Sequence, residues 1–200
     1  MATQVPISLV KPAGHATGAG ETGVIAEHIA GLERNPGMAF DLQRLDNIRV
    51  NKSAVERRCA AYGARRSIKK QQQAAWLLKA ISLIDLTTLS GDDTQDRVKR
   101  LCSKAKTPVG RDLQRRLGIE SINLSTAAVC VYHEMLEVAC SSLAGTGIHL
   151  AAVSTGFPAG LSPLPLRIAE IEYSVAAGAD EIDIVISRRH VLEGNWQALY

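Results

Sequence analysis

The sequence predicts an α/β fold built on a parallel sheet, and three observations carry that prediction. Four short apolar runs recur between residues 80 and 200: AISLIDLTTL (80–89), STAAVCVY (125–132), IHLAAVSTGFP (148–158) and EIDIVIS (181–187). Each run is continuous and rich in Ile, Val, Leu and Ala, as in a strand covered on both faces. Each is followed by a loop and a stretch of helical character, the order that joins parallel strands by crossover helices. Four β/α units are half of an eightfold barrel, an architecture of about 250 residues. The chain reaches Tyr200 within what reads as a helix, with no Gly, Asn or Pro to end it. The pattern therefore leads to the expectation that the second half of such a barrel lies outside these residues.

The elements follow in order. Residues 1–22 are rich in Gly, Ala, Thr and Pro without periodicity and read as a flexible arm. Residues 23–79 read as an N-terminal helical extension ahead of the β/α region at 80–200. Within it, 23–34 (GVIAEHIAGLER) makes a short helix with Val24, Ile25, Ile29 and Leu32 as apolar positions. Residues 52–80 are mostly helical with a break near Gly63, and SIKKQQQAAWLLKA places Trp76, Leu77 and Leu78 on the apolar side. After the first run, aspartates crowd the start of SGDDTQDRVKRLCSKAKTP and lysines its end, as the helix dipole favours. HEMLEVACSSLAG follows the second run with Gly145 as its C-cap. SPLPLRIAEIEYSVAAG follows the third, with Ile168, Ile171 and Val175 at helical spacing and Gly178 as its stop. RRHVLEGNWQALY follows the fourth.

Composition excludes several classes. The chain is 46% apolar and 22% charged, with a net charge of +3, too small to require a polyanionic partner. Its four cysteines (Cys59, Cys102, Cys130, Cys140) form no CxxC pair, which argues against a disulfide framework or zinc cluster and for a reducing, cytoplasmic setting. No apolar run approaches a membrane span, and no secretory signal pattern opens the chain. Residues 1–20 contain neither acid nor arginine, which weighs against a transit peptide.

Some candidate motifs dissolve under physical scrutiny. GAGETG (18–23) matches GxGxxG, with Asp41 at a ribose-binding distance, but no strand runs into its first glycine. The basic run 56–70 (Arg57, Arg58, Arg65, Arg66, Lys69, Lys70) could contact phosphates, yet a solvated helical face explains it equally, and no nucleic-acid partner is expected. Cys130 reads first as a small buried hydrophobe, with a pocket thiol as the alternative. His133 reads as a loop or helix-start histidine.

The acids inside strands say more. Asp85 lies between Ile84 and Leu86, and Asp183 between Ile182 and Ile184. Burying an unpaired carboxylate is expensive, so two of them suggest a polar cluster paired with a cation or placed to move protons. Parallel α/β sheets carry their sites at the C-terminal ends of the strands. That rule brings Asp85, Thr87, Thr88, Tyr132, Thr155 and Gly156 near a site, while Asp183 points into a barrel interior. The last lysine is Lys106, so no residue from 107 to 200 can form a Schiff base.

From about Val50 to Tyr200 the chain resembles the deoxyribose-phosphate aldolase family, in its animal-type branch. The resemblance rests on ARRSIKKQQQAAWLLKAISLIDLTTLSGDDT (64–94), LCSKAKTPV (101–109), AAVCVY (127–132), AVSTGFPAG (152–160) and GADEIDIVISRRHVLEGNWQALY (178–200). It implies a (β/α)8 TIM barrel of which about the first four β/α units are present, and a class I aldolase that needs no metal or other cofactor. The implied substrate is a small phosphosugar, 2-deoxy-D-ribose 5-phosphate, cleaved reversibly through a lysine Schiff base in deoxyribose catabolism. By motif, Asp183 of EIDIVI would relay protons, while Asp85 and Thr87 of IDLTTL, Cys130 of AAVCVY and Phe157 of TGFPAG would line the pocket. Asp85 would anchor the family's lysine pair electrostatically, and both lysines fall beyond residue 200. The 200 residues alone are therefore expected to be inactive, and a buried Asp183 without its cations is expected to titrate above the usual carboxylate range. The chain departs from the family at His133, where proline is usual, and at the more apolar LSPLPLR (161–167). A second reading remains, a short non-enzymatic relative whose open half barrel binds a protein partner. Self-association into a homo-oligomer is left open.

Overall fold

The structure is a computed structural model that describes residues 38–46, 48–65 and 68–200. The arm at 1–22, the helix at 23–34 and the GAGETG match lie outside the described residues. The first described helix, α1 (Gln43–Asp46), starts where Asp41 Oδ1 accepts the Gln43 N–H at 3.0 Å. Helix α2 (Lys52–Ala64) begins at Asn51, whose Oδ1 accepts the Ala54 N–H at 3.0 Å. Every residue of α2 is exposed, in keeping with its basic sequence, and the Arg65 guanidinium lies 4.4 Å over the Tyr62 ring. Helix α2 ends at Ala64, and the next helix, α3, spans Lys70–Ile81. The half-buried positions of α3 are Ala74, Leu78 and Ile81, spaced by four and three. Trp76 and Leu77, expected on that side, are 63% and 60% exposed.

Helix α3 also shortens the first strand. The chain stays helical to Ile81, and Ser82 Oγ donates to the Lys79 carbonyl at 2.8 Å at its end. Strand β1 is therefore Asp85–Thr87, not the whole of 80–89. Next come α4 (Gln95–Lys106), α5 (Arg111–Leu117), a 3-10 turn at Glu120–Ile122 and β2 (Ala128–Tyr132). A second 3-10 turn (His133–Met135) leads into α6 (Leu136–Leu143) and β3 (His149–Ser154). The described chain ends with α7 (Leu164–Ala176), β4 (Glu181–Ile184), α8 (Arg188–Leu192) and α9 (Trp196–Leu199). The span 188–200 is thus two short helices, because Gly194 turns at φ +67 and Asn195 Oδ1 recaps by accepting the Ala198 N–H.

All four strands are parallel and lie in the order β1-β2-β3-β4, each beside its sequence neighbour. One sheet face carries the core. Val129, Val131, Leu150 and Ala152 pack there against Val98, Cys102 and Ala105 of α4 and Leu136, Ala139 and Leu143 of α6. Full burial of each Val or Leu contributes about 1.5–3 kcal/mol. Helix α4 follows the charge pattern expected of it, with Thr94 capping the Arg97 N–H, Asp96 in the first turn and Lys104 and Lys106 in the last. Helix α7 does not present Ile168 to the sheet, which is 46% exposed. Its inward positions are Arg167, Glu170, Ile171, Ser174 and Val175, so the expected Ile171 and Val175 are in place. Among the described residues, no helix is long and apolar enough to cross a membrane.

Candidate active site

Side chains alternate across a strand, so the core on one face fixes what the other presents. The register pairs Asp85 with Ala128, Thr87 with Cys130, Cys130 with Ala151, Tyr132 with Val153, Ala151 with Glu181 and Val153 with Asp183. These residues share the face opposite the helices, the interior face of a barrel. Cys130, Ala151 and Val153 form a small apolar floor there, with Leu89 and Tyr132 packed on it.

Four of the five expected site residues, Asp85, Thr87, Cys130 and Asp183, lie on this face, and both acids act on the Cys130 thiol through their charge. Its pKa is pushed up to about 11, first by burial and then by the charges of Asp183 and Asp85, against a hydrogen bond with Thr87 and one with the Val153 backbone. At neutral pH the thiol is therefore protonated, which fits the buried-hydrophobe reading better than a reactive thiolate. The fifth residue, Phe157, lies in the loop after β3, its ring 6.3 Å from that of Tyr132 at the end of β2.

One expectation fails. Asp183 and Asp85 are exposed, not buried. Both stand on strands that have a single neighbour among the described residues, β4 and β1, and their shared face has no described layer over it. Among the described residues no lysine lies on a strand, and no group of three His, Cys, Asp or Glu side chains could hold a metal ion.

The loops at the C-terminal ends of the strands are tied down by polar side chains. Thr88 Oγ1 donates to the Asp93 carboxylate at 2.9 Å, the Ser90 N–H donates to it at 3.1 Å, and Arg97 pairs with it at 3.1 Å. Burial raises the Asp93 pKa, but these partners outweigh it and hold the carboxyl below its usual range. A cleft of about 220 Å³ opens beside this loop, lined in part by Ser90, Asp93, Tyr132 and His133. After β3, Thr155 and Gly156 both have left-handed backbones, φ +61 and +74. The Gly156 N–H donates to Glu170 Oε2 at 2.9 Å, and Arg167 Nη1 donates to Ser187 Oγ at 2.9 Å. His133 begins a helical turn, as read from the sequence, and its Nδ1 lies 3.6 Å from Glu170 Oε1.

Arg167 and Glu170 escaped the sequence reading. Their signal was present: two charged residues three apart, in phase with Ile171 and Ser174 on the sheet side of α7.

No family model matches the chain. Curated relatives do. The chain is 51% identical over 166 residues to the deoxyribose-phosphate aldolase of Mus musculus, covering 82% of this chain and 52% of that protein. It is 50% identical over 168 residues to the enzyme of Homo sapiens, covering 83% and 53%, and 51% identical over 166 residues to that of Bos taurus, covering 82% and 52%. The chain thus spans about half the length of the curated relatives it matches. Among solved structures, a candidate deoxyribose-phosphate aldolase from Coccidioides immitis superposes with a TM-score of 0.50 at 20% identity, over 75% of this chain and 54% of that one. That likeness speaks for the fold: the parallel four-stranded sheet with its helices is part of a TIM barrel. Over the span it shares with them, at about half of their sequence positions identical, the chain belongs to the deoxyribose-phosphate aldolase family.

Proposed function

We propose that this half barrel is the proton-handling side of a class I aldolase that cleaves 2-deoxy-D-ribose 5-phosphate to D-glyceraldehyde 3-phosphate and acetaldehyde, reversibly. A lysine amine condenses with the sugar's C1 aldehyde, releasing water and forming a protonated imine. Loss of the C3 hydroxyl proton lets the C2–C3 electron pair move into the imine, which leaves an enamine and frees the three-carbon phosphate. Protonation at C2 and hydrolysis then return the amine and acetaldehyde. Asp183 takes and returns protons through water, while Asp85 attracts the cationic amine. Thr87, Cys130 and Phe157 shape the pocket. The amine comes from outside these 200 residues, which alone do not turn over substrate. The reaction is placed in the cytoplasm, a reducing setting that suits four free cysteines.

The observation that supports this reading is that Asp183, Asp85, Thr87 and Cys130 share one sheet face, opposite the face on which the core helices pack. The test is borohydride reduction with 2-deoxy-D-ribose 5-phosphate, followed by peptide mass mapping. The 200-residue chain should trap no adduct on this face. Extended by the lysine-bearing remainder of the barrel, it should trap one on that lysine and turn over. A competent adduct formed by the 200 residues alone overturns the reading.

A further inference from the structure

Glu170 sits on the sheet side of α7 with a side chain only 19% exposed. A carboxylate in that position needs partners, and it draws them from two different loops. Oε2 accepts the backbone N–H of Gly156 at 2.9 Å. Oε1 stands 3.6 Å from His133 Nδ1. Gly156 directly precedes Phe157, and His133 directly follows Tyr132. The two aromatic rings, 6.3 Å apart, are thus each one residue from a group beside the same carboxylate: Gly156, hydrogen-bonded to it, and His133, whose Nδ1 approaches to 3.6 Å without a hydrogen bond. The His133 ring is wedged edge-on between Tyr132 and Tyr173, at 6.4 Å and 5.9 Å. On the other side, Thr155 holds φ +61, a conformation unfavourable for a β-branched residue, which persists only where its surroundings enforce it.

We propose that Glu170 is a positioning residue: its carboxylate fixes the loop after β3 relative to the end of β2, and so sets Phe157 against Tyr132. These rings form an aromatic rim at the C-terminal ends of the strands, along one side of the carboxylate face. The catalytic consequence rests on the aldolase reading, in which the rim orients the sugar phosphate. The structural consequence rests on the geometry alone.

Two measurements separate these. In the 200-residue chain, NMR reads amide exchange at Gly156 and the cross-relaxation between the Tyr132 and Phe157 rings. Glu170→Ala should speed Gly156 exchange by about tenfold or more, the loss of roughly one hydrogen bond, and should abolish the ring contact. Glu170→Gln should preserve both, since its carbonyl can accept from Gly156 and its side chain keeps the same length beside His133. If Glu170→Ala does not fold, Glu170→Met replaces it against Glu170→Gln, both keeping the side chain's length. Retention of the ring contact in Ala or Met overturns the proposal, and so does its loss in Gln. In the lysine-complemented enzyme, Glu170→Ala should raise KM about tenfold with kcat changed less than about threefold. A fall in kcat with KM unchanged counts against the rim's role in orienting substrate. Absence of turnover from every version counts against the aldolase reading, and the ring contact then decides the positioning claim.

Discussion

Thr155 and Val185 exchange two hydrogen bonds through one hydroxyl. Thr155 Oγ1 accepts the Val185 N–H at 2.6 Å and donates to the Val185 carbonyl at 3.2 Å. Strand β3 ends at Ser154 and β4 at Ile184, so this side chain carries the pairing one step past the strands. Thr155→Val keeps the shape and deletes both bonds, leaving a part-buried N–H without its partner. It should cost about 1–3 kcal/mol, read from urea unfolding midpoints, while Thr155→Ser should keep most of the stability. An unchanged midpoint in the valine variant would show that the hydroxyl is dispensable.

Gly160 meets the same residue from the other side. It has φ +67, and a Cβ there would come within 2.8 Å of Val185 Cγ1. Gly160→Ala should destabilise by about 1–3 kcal/mol through backbone strain and this clash together. Adding Val185→Ala should recover the clash portion, so the double mutant should lose less than the two singles summed. Strict additivity in thermal or urea unfolding refutes the contact.

The Cys130 thiol holds its proton to about pH 11 in the folded protein, against an ordinary 9.0. Between those values unfolding releases a proton, so stability is full below pH 9.0 and falls as pH climbs toward 11, by about 2–3 kcal/mol in all. Cys130→Ala should flatten that alkaline decline. At pH 8 iodoacetamide should modify the exposed Cys59 and spare Cys130. Because Asp183 adds to the shift, Asp183→Asn should move the thiol's titration downward. Rapid alkylation of Cys130 at pH 8 would contradict all three statements.

Asp183 offers a clean separation of folding from function. Its side chain is exposed on an edge strand, so Asp183→Asn should change stability by no more than about 0.5 kcal/mol. In the lysine-complemented enzyme the same change should lower kcat by about 10²–10⁴ if the carboxylate transfers protons. Stopped assays of deoxyribose 5-phosphate cleavage measure the second effect. Near-normal kcat would remove Asp183 from the relay.

The alternation of apolar runs and helices made the parallel sheet legible, and the isoleucines around Asp183 marked the face it shares with Asp85. Boundaries were harder where two signals competed. AISLI has strand-like composition, but the strong helix formers before it carried α3 through to Ile81. The helical stretch that reaches Tyr200 is divided at Gly194, whose φ of +67 is a backbone conformation that hydrophobic periodicity does not reveal. The exposure of the acids could not be read from residue types, because burial depends on what covers the sheet. Glu170 was missed for a related reason: a charged residue on a helix is read as solvated unless its phase is tracked against the sheet.

The carboxylates of Asp85, Glu181 and Asp183 all stand on the two strands that have one neighbour each among the described residues, and all on the same face. If β1 of one molecule met β4 of another, those acids would gather along a single seam. Like charges placed opposite one another across strands repel. A neighbour presenting cations on that face would be drawn to the same seam. Pairing of the two margins in a second copy would therefore bring Asp85 and Asp183 toward one another, while Glu181 is already matched within the chain by His149 Nδ1 at 2.6 Å.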